Sequence, residues 1–191
     1  MTYIIGYPDA AVANDCVEML ASNNRLATIL TPESYFNQQY DPTQKFLIAV
    51  TREMEFRKKI ITTLDERQLK RDTYIHPTAV IHPSAKIGAG TIICQFSTAL
   101  WNTTIDQDCF MAPYTMVAHG SFVGQGSFLQ PGTIIAGSTK VGKYCTFGLR
   151  SNVIDHLTIC DNVIVGATGL ITKDITQPGV YLGSPARKVA N

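Results

Sequence analysis

A large apolar residue, aliphatic at all but Phe147, recurs at every sixth position from Ile75 to Ile171, with no insertion and with Ala99 as the one small member. Four residues after each of them, as far as Ser151, stands an Ala, Ser, Thr or Cys. A period of six fits neither an α-helix, whose period is 3.6, nor one continuous strand, whose period is two. Large and small residues alternating at this spacing predict a hexapeptide-repeat β-helix.

In such a fold each hexad supplies a short strand and a tight turn, and three hexads complete one coil of eighteen residues. The large side chains fill the centre of a triangular prism, whereas the small ones pack near its corners. Residues eighteen apart in the chain then stack at about 4.8 Å, the spacing of paired strands. We therefore expect the residues of one corner to form a column that can be counted from the sequence.

Residues 1–72 lack this period and predict a different kind of domain. The expected elements are strands at residues 3–6, 26–30 and 46–50 and helices at residues 10–22 and 53–64. Strands alternating with helices over this length indicate a small Rossmann-like α/β domain. The sequence thus divides into this domain, a β-helix at residues 73–176 and a tail at residues 177–191.

Composition excludes several functional classes. The 191 residues carry a net charge of +1 without basic runs, which argues against binding to nucleic acid. The longest fully apolar run, residues 46–50, is far too short to span a membrane. The five cysteines form no C-x-x-C motif, and the start lacks the features of a secretory signal, so we expect a cytoplasmic protein. No His-x4-His pair exists in the repeats, so we expect no metal site.

A column counted in steps of eighteen contains Trp101, His119, Gly137 and Asp155. A glycine beside a histidine leaves open space and an accessible backbone N–H. A general base next to an amide that stabilises an oxyanion suits chemistry on a thioester. His119 could equally be a surface histidine beside a tryptophan, and His156, two coils away, is a second candidate base.

Three stretches of the sequence support a resemblance to a known family: residues 46–60, residues 117–137 and residues 179–187. They resemble the strand and Arg-Lys-Lys helix, the catalytic stretch and the C-terminal ending of the NeuD/PglD-like sugar O- and N-acetyltransferases. The resemblance implies a left-handed β-helix, a homotrimer with clefts between adjacent prisms, and acetyl transfer from acetyl-CoA to a small-molecule sugar.

The resemblance also implies roles for individual residues. His119 matches the general base. The positions that match coenzyme A contacts, or lie beside them, form a line up the prism: Gly137, Gly148, Leu149, Gly166 and Ala167. Arg187 and Lys188 either meet the phosphates of the coenzyme or belong to a solvated tail.

The sequence departs from the family at positions that concern the acceptor. Gly120 replaces the acid next to the base, Phe128 replaces a histidine near the acetyl group, and Ala112 replaces an asparagine that meets the amine of the sugar. We expect Phe128 and Trp101 to form the walls of the acetyl and acceptor site. Gly6 is the single glycine in the turn where a nucleotide-binding loop would have several, so that turn is either a structural cap or a pocket for a sugar nucleotide.

The missing acid favours one acceptor chemistry. A hydroxyl must lose its proton as it attacks, which needs a strong base, whereas an amine attacks with its own lone pair. The sequence therefore predicts an acetyl-CoA-dependent N-acetyltransferase acting on a nucleotide-linked amino sugar, in surface-polysaccharide or glycan synthesis. A sugar O-acetyltransferase and a non-catalytic trimeric scaffold are the alternatives.

Overall fold

The computed structural model describes residues 1–9, 11–51 and 53–189. The chain forms two compact units, Met1–Tyr74 and a second unit that begins at Ile75. Within the described residues, none of the helices has the length and apolar character needed to cross a bilayer.

The first unit is an α/β domain with a four-stranded parallel sheet of order β2-β1-β3-β4. Its elements are β1 Thr2–Ile5, α1 Ala11–Ala21, β2 Ala27–Leu30, α2 Pro32–Asn37, β3 Lys45–Ile48, α3 Met54–Glu66 and β4 Lys70–Arg71. The α/β class is confirmed, whereas α2 and β4 were not predicted because each is too short to show a periodic pattern. The predicted start of the first helix, Ala10, lies outside the described residues.

Apolar strands and one buried arginine hold this unit together. Ile4, Phe46 and Ile48 are fully buried in the sheet. The side chain of Arg57 is also buried, and its guanidinium donates hydrogen bonds to the carbonyl oxygens of Ile48 at 3.0 Å and Val50 at 2.9 Å. The Arg-Lys-Lys helix of the sequence resemblance thus contributes a structural arginine that ties α3 to the end of β3.

The second unit is a parallel β-solenoid, as predicted. Its strands are β5 Tyr74–Ile75, β6 Val80–Ile81, β7 Lys86–Ile87, β8 Ile92–Ile93, β9 Thr98–Ala99, β10 Thr104–Ile105, β11 Phe110–Met111, β12 Met116–Val117, β13 Phe122–Val123, β14 Phe128–Leu129, β15 Ile134–Ile135, β16 Lys140–Val141, β17 Thr146–Phe147, β18 Asn152–Val153, β19 Thr158–Ile159, β20 Val163–Val165, β21 Leu170–Ile171, β22 Gly179–Gly183 and β23 Ala186–Lys188. Three sheets form its faces: six strands in the order β21-β18-β15-β12-β9-β6, five in the order β19-β16-β13-β10-β7, and eight in the order β23-β22-β20-β17-β14-β11-β8-β5. The last residues, described from the sequence only as a tail, add β22 and β23 to the eight-stranded sheet.

The periodic aliphatic residues form the core of the solenoid. From Ile93 to Ile171 every member of the series is at most 2% exposed. Ile81 and Ile87 are only partly buried, and Ile75 is exposed. Alternate residues of a strand point to opposite sides, so the first residue of each two-residue strand from β8 to β21 faces outward, whereas in β20 it is the middle residue, Ile164.

The small residues are hydrogen-bond donors as well as space savers. Most of their hydroxyl or thiol groups donate to the backbone carbonyl fifteen residues later, for example from Ser97 to Ala112 at 3.0 Å and from Ser121 to Ala136 at 2.9 Å, whereas Thr115 donates to the hydroxyl of Ser97 at 3.1 Å. Ser, Thr and Cys at these positions therefore satisfy carbonyl groups at the corners, which size alone did not predict. The buried hydroxyl of Ser151, at the end of the series, has no partner within the described residues.

Three columns of two-residue turns connect the faces, and each column is an edge of the solenoid. Edge 1 joins the six-stranded to the five-stranded sheet and includes residues 83–84, 101–102, 119–120, 137–138 and 155–156, and residue 173, after β21, continues the same column. Edge 2 joins the five-stranded to the eight-stranded sheet and consists of residues 107–108, 125–126, 143–144 and 161–162. Edge 3 joins the eight-stranded to the six-stranded sheet and consists of residues 95–96, 113–114, 131–132, 149–150 and 167–168.

Candidate functional site

Backbone hydrogen bonds build the column that contains His119. The residue lies two positions after β12, and Gly137 lies two positions after β15, the strand that pairs with β12. The carbonyl of His119 accepts a hydrogen bond from the amide of Ser138 at 2.8 Å, and the carbonyl of Gly137 accepts one from His156 at 3.0 Å. The amide of Gly120 donates the equivalent hydrogen bond to the carbonyl of Trp101, at 2.9 Å. The order counted from the sequence is therefore the order along edge 1.

The imidazole of His119 lies directly against Gly137. A Cβ atom built on Gly137 would lie 2.5 Å from Cε1 and 2.6 Å from Nε2 of the ring. The sequence predicted open space beside the glycine. In the structure the imidazole ring fills that space. Gly137 thus fixes where the imidazole sits.

Polar groups of this pair lack protein partners. Neither ring nitrogen of His119 makes a hydrogen bond, and the amide of Gly137 donates none, within the described residues. The amides of Trp101 and Asp155, at the same turn position, also donate no hydrogen bond within the described residues, so the free amide is a property of the turn, and the imidazole beside it is what distinguishes Gly137. One group can accept a proton, and the other can donate a hydrogen bond to a developing oxyanion.

No carboxylate assists the imidazole within the described part of the chain. Gly120, which follows His119, has φ of +67°, a conformation that glycine adopts easily. The carboxylate of Asp155 lies 3.6 Å from Nε2 of its neighbour His156, and both of these side chains are exposed. His156 is therefore a surface residue paired with an adjacent acid, and it belongs to the turn two coils after that of His119.

The predicted coenzyme contacts lie on a different edge from His119. Leu149, which is exposed, and Ala167 belong to edge 3, whereas Gly137 belongs to edge 1. The whole six-stranded sheet separates the two edges. The structure thus places these residues in two columns of one chain rather than in the single line that the sequence analysis expected.

Two of the predicted coenzyme glycines are explained by packing. A Cβ atom on Gly148 would lie 2.5 Å from the amide nitrogen of Ala167 in the next coil. A Cβ atom on Gly166 would lie 2.3 Å from Cδ2 of Leu182, in β22. These glycines let successive coils, and the strand β22, pack closely next to edge 3.

Basic residues surround a cleft of about 230 Å³ at the C-terminal end of the solenoid. Arg187 and Lys188, both in β23 and exposed, line it together with Lys173 and Asp174. The carboxylate of Asp174 accepts a hydrogen bond from the amide of Thr158 at 2.8 Å, which leaves the three cations in excess. Lys173 was not among the residues predicted from the sequence, although it lies 54 residues, or three coils, after His119 and therefore belongs to the same column.

The expected acceptor residues differ in accessibility. Trp101 is 58% exposed on edge 1, one coil before His119. Ala112 and Phe128 are buried on the eight-stranded sheet, where the ring of Phe128 packs edge-on against Phe110 with centroids 5.4 Å apart. Trp101 is thus available to a ligand in the single chain, whereas the other two belong to a packed apolar layer.

Gly6 in the first unit is also fixed by packing. A Cβ atom at this position would lie 3.0 Å from Cβ of Ala13 and 3.3 Å from Cβ of Ala49. The glycine therefore allows α1 to pack closely on the sheet. Of the two roles open from the sequence, this geometry favours the structural one. Among the described residues, no group of three or more His, Cys, Asp or Glu side chains is placed to hold a metal ion.

Solved structures share this architecture. One is perosamine N-acetyltransferase from Caulobacter crescentus in complex with CoA and GDP-perosamine, with a TM-score of 0.87, 20% identity, and coverage of 100% of this chain and 97% of that one. Another is the acetyltransferase domain of PglB from Neisseria gonorrhoeae in complex with acetyl coenzyme A, with a TM-score of 0.88, 20% identity, and coverage of 98% of both chains. At such identities the likeness establishes the fold, which is the fold that the sequence resemblance implied.

Sequence comparison gives a partial match. UDP-3-O-acylglucosamine N-acyltransferase from Herminiimonas arsenicoxydans is 34% identical over 103 residues, which cover 54% of this chain and 29% of that protein. The chain therefore spans about three tenths of the length of the curated relatives it matches. No protein-family profile matches the chain.

Proposed function

We propose that this chain is an acetyl-CoA-dependent N-acetyltransferase that modifies a nucleotide-linked amino sugar in glycan synthesis, in the cytoplasm. The observation that carries the proposal is the exposed imidazole of His119 held against Gly137, whose amide has no partner in the described structure. The shared fold supports it, because solved proteins of this architecture bind CoA and a sugar nucleotide. The five cysteines are free thiols, as expected in a reducing compartment.

The reaction needs one base and one oxyanion donor. The amine of the acceptor attacks the thioester carbonyl, a C–N bond forms, and the C–S bond breaks. His119 takes the proton that the new ammonium group loses and can return it to the departing thiolate of coenzyme A. The amide of Gly137 stabilises the negative oxygen of the tetrahedral adduct.

An amine fits this site better than a hydroxyl. No carboxylate contacts His119 within the described residues, so the imidazole lacks a partner that would strengthen it as a base. The adduct formed by an amine is itself acidic and can be deprotonated by an unassisted imidazole. Acetylation of nitrogen therefore remains the preferred chemistry over acetylation of oxygen.

One face of the solenoid supports the proposed homotrimer. The outward positions of the six-stranded sheet carry no charge: Val80, Thr98, Met116, Ile134, Asn152 and Leu170. Val80 is 61% and Ile134 37% exposed in the single chain. On the five-stranded sheet, Lys86 and Lys140 occupy the equivalent positions. A face without charge, with partly exposed aliphatic residues such as Val80 and Ile134, suits contact with further copies of the chain.

Such an assembly would unite the two predicted halves of the site. Edges 1 and 3 border the six-stranded sheet on opposite sides, so a ring of copies packed by this face brings edge 1 of one copy next to edge 3 of another. Rotation about an axis parallel to the solenoid leaves heights unchanged. Leu149 precedes Asp155 by six residues, and Ala167 precedes Lys173 by six residues. Six residues are a third of a coil, so each pair lies at nearly the same height.

The basic cleft suggests which end of the coenzyme lies near the C-terminal end of the solenoid. Lys173 lies three coils after His119 on edge 1, a separation of about 14 Å at the spacing of paired strands. We place the thioester at His119 and the phosphates at Lys173, Arg187 and Lys188, so that the pantetheine arm extends between Gly137 and Asp155 on one copy and Leu149 on the next. Charge complementarity between phosphates and three cations supports this orientation.

The decisive experiment compares two histidines of the same edge. Thiol release from acetyl-CoA is measured with GDP-perosamine as the acceptor for wild type, His119→Ala and His156→Ala. We expect His119→Ala to lower kcat by about 10²–10⁴ at unchanged melting temperature and assembly mass, and His156→Ala to behave as wild type. Unchanged turnover in His119→Ala would remove this residue as the base.

Two further measurements separate the alternatives. Calorimetry with acetyl-CoA tests the scaffold, because a non-catalytic solenoid with a vestigial cleft has no reason to bind the coenzyme. Matched amine and hydroxyl sugars assayed side by side test the preference for nitrogen. Faster transfer to the hydroxyl sugar would reverse it.

A further inference from the structure

Two aromatic side chains of edge 3 form an exposed stack. Phe96 and Tyr114 lie in adjacent coils, their ring centroids are 5.1 Å apart, and their planes are inclined by 21°. Phe96 is 52% and Tyr114 64% exposed. Rings that are paired with each other yet open to solvent on the other side leave an apolar surface without a partner in the single chain.

The backbone beneath these rings is in the left-handed region. Phe96 has φ of +58° and Tyr114 has φ of +61°, which bulky side chains rarely adopt. At the same turn position other coils carry Gly120, Gly126 and Gly132, for which a positive φ has no steric cost. Tyr144 and Arg150 also have a positive φ at this turn position, so the conformation belongs to the repeat, and it is the exposure of the two stacked rings that remains without a partner in the chain.

The height of the rings relates them to the proposed catalytic residue. Tyr114 precedes His119 by five residues, which is less than a third of a coil, or about 1.5 Å along the axis. Phe96 has the same relation to Trp101. In the assembly described under the proposed function, on which this inference rests, the rings of one copy face Trp101 and His119 of its neighbour across the cleft.

The position of the coenzyme leaves this region for the acceptor. The cations that suit the phosphates lie about three coils beyond His119, at the C-terminal end, whereas Tyr114 is about level with His119 and Phe96 lies one coil before Tyr114. Gln95, Pro113 and Pro131 beside the rings are uncharged, and the charged residue of edge 3 that comes nearest in the column is Arg150, two coils after Tyr114, whose Cγ packs over Gly132. A neutral ring, rather than a phosphate, therefore matches the chemistry of this surface.

We infer that Phe96 and Tyr114 form a platform, a stack of two rings whose open face on the Tyr114 side packs against the sugar ring of the acceptor, and that it is supplied by the copy next to the one that contributes His119. The C–H groups on one face of a sugar ring make an apolar surface that packs well on an aromatic face, and the Tyr114 hydroxyl offers one polar contact at the rim. The platform positions the amine in front of the imidazole. It therefore determines the KM for the acceptor and takes no part in proton transfer.

Kinetics of single-ring variants test the platform. Tyr114→Ala and Phe96→Ala are compared with Tyr144→Ala, which removes a ring at the same turn position of edge 2, where φ is +56°. We expect the two edge 3 variants to raise the KM for GDP-perosamine about tenfold, with unchanged KM for acetyl-CoA and unchanged assembly mass. Tyr144→Ala should retain the wild-type KM, and Tyr114→Phe, which keeps the ring and loses only the hydroxyl contact, should raise it much less than Tyr114→Ala does.

Three outcomes would overturn the inference. An unchanged acceptor KM means that the rings do not touch the sugar. A higher KM for acetyl-CoA means that they contact the coenzyme. A fall in assembly mass means that they belong to the contact between copies.

A binding experiment without turnover keeps this inference separate from the proposed function. Saturation-transfer NMR is recorded for GDP-perosamine with wild type and with Tyr114→Ala, in the absence of acetyl-CoA. Saturation of the sugar-ring protons that disappears in the variant supports the platform even if no acetyl group is ever transferred. Saturation confined to the guanine, or equal in both proteins, contradicts it.

Discussion

The imidazole of His119 occupies the space that a side chain on Gly137 would need. The glycine therefore acts on the candidate base by contact, one coil away, and its own amide is the neighbouring hydrogen-bond donor. Both candidate catalytic groups depend on the same close approach.

Gly137→Ala should displace the ring of His119. A Cβ atom would lie within 3.0 Å of three ring atoms, and the exposed imidazole can move only by turning away from the amide. We expect kcat to fall about tenfold to a hundredfold, with little change in the free energy of unfolding. In a His119→Ala background the same change should cost nothing further. Full activity of Gly137→Ala would show that the contact does not position the base.

Ile134→Asp should weaken the assembly of copies. Ile134 and Phe122 are each 37% exposed, and each is the first residue of a strand, but they lie on the six-stranded and five-stranded sheets respectively. A buried unpaired carboxylate at a contact is costly, so sedimentation equilibrium should show a lower mass for Ile134→Asp and an unchanged mass for the control Phe122→Asp. Equal masses would contradict the proposed face.

Lys173→Ala should weaken binding of acetyl-CoA. The lysine lines the basic cleft with Arg187 and Lys188, so its removal takes one charge from the proposed phosphate site. We expect the KM for acetyl-CoA to rise several-fold at low salt, by an amount that shrinks as salt screens the charges. Lys140→Ala, an exposed lysine on the five-stranded sheet, is the control. An equal effect of both variants would mean that only overall charge matters.

Ser127→Ala should destabilise the solenoid more than Ser151→Ala. The hydroxyl of Ser127 donates to the carbonyl of Gly142 at 3.2 Å and accepts from the amide of Cys145 at 3.1 Å, whereas the buried hydroxyl of Ser151 has no partner among the described residues. We expect a loss of about 1–3 kcal/mol for the first variant and almost none for the second, by urea unfolding. Equal losses would show that the series is selected for size alone.

Asp72→Asn should change how the free energy of unfolding depends on pH in the acidic range. Burial raises the pKa of Asp72, but hydrogen bonds from Thr2, Arg25 and the amide of Thr73 lower it more, so the pKa lies below its ordinary value of 3.8. A depressed pKa stabilises the folded state above the unfolded value, and that contribution is lost as pH falls through the folded pKa. We expect Asp72→Asn to be less stable at pH 7 and to lose less stability below about pH 4. Parallel pH profiles would contradict this.

The repeat predicted the solenoid because its period is unbroken, and it predicted the column of His119 because residues eighteen apart must stack. The prediction that the coenzyme contacts form a single line was wrong, because it was based on the order of motifs along the chain and not on the eighteen-residue count. Leu149 lies twelve residues after Gly137, which is two hexads and not three, so the count itself places it on another edge. The packing roles of Gly6 and Gly148 depend on which backbone passes opposite them, and the sequence alone does not contain that information.

The division of the predicted contacts between edge 1 and edge 3 has a genetic consequence. If each cleft takes one border from each of two copies, a chain disabled only at His119 still presents an intact edge 3, and a chain disabled only at edge 3 still presents an intact His119. Refolding the two inactive proteins together in equal amounts should regenerate roughly a quarter of the clefts in working form, by random assortment around a closed ring. Two lesions that are each fatal alone would then complement one another in a mixed oligomer.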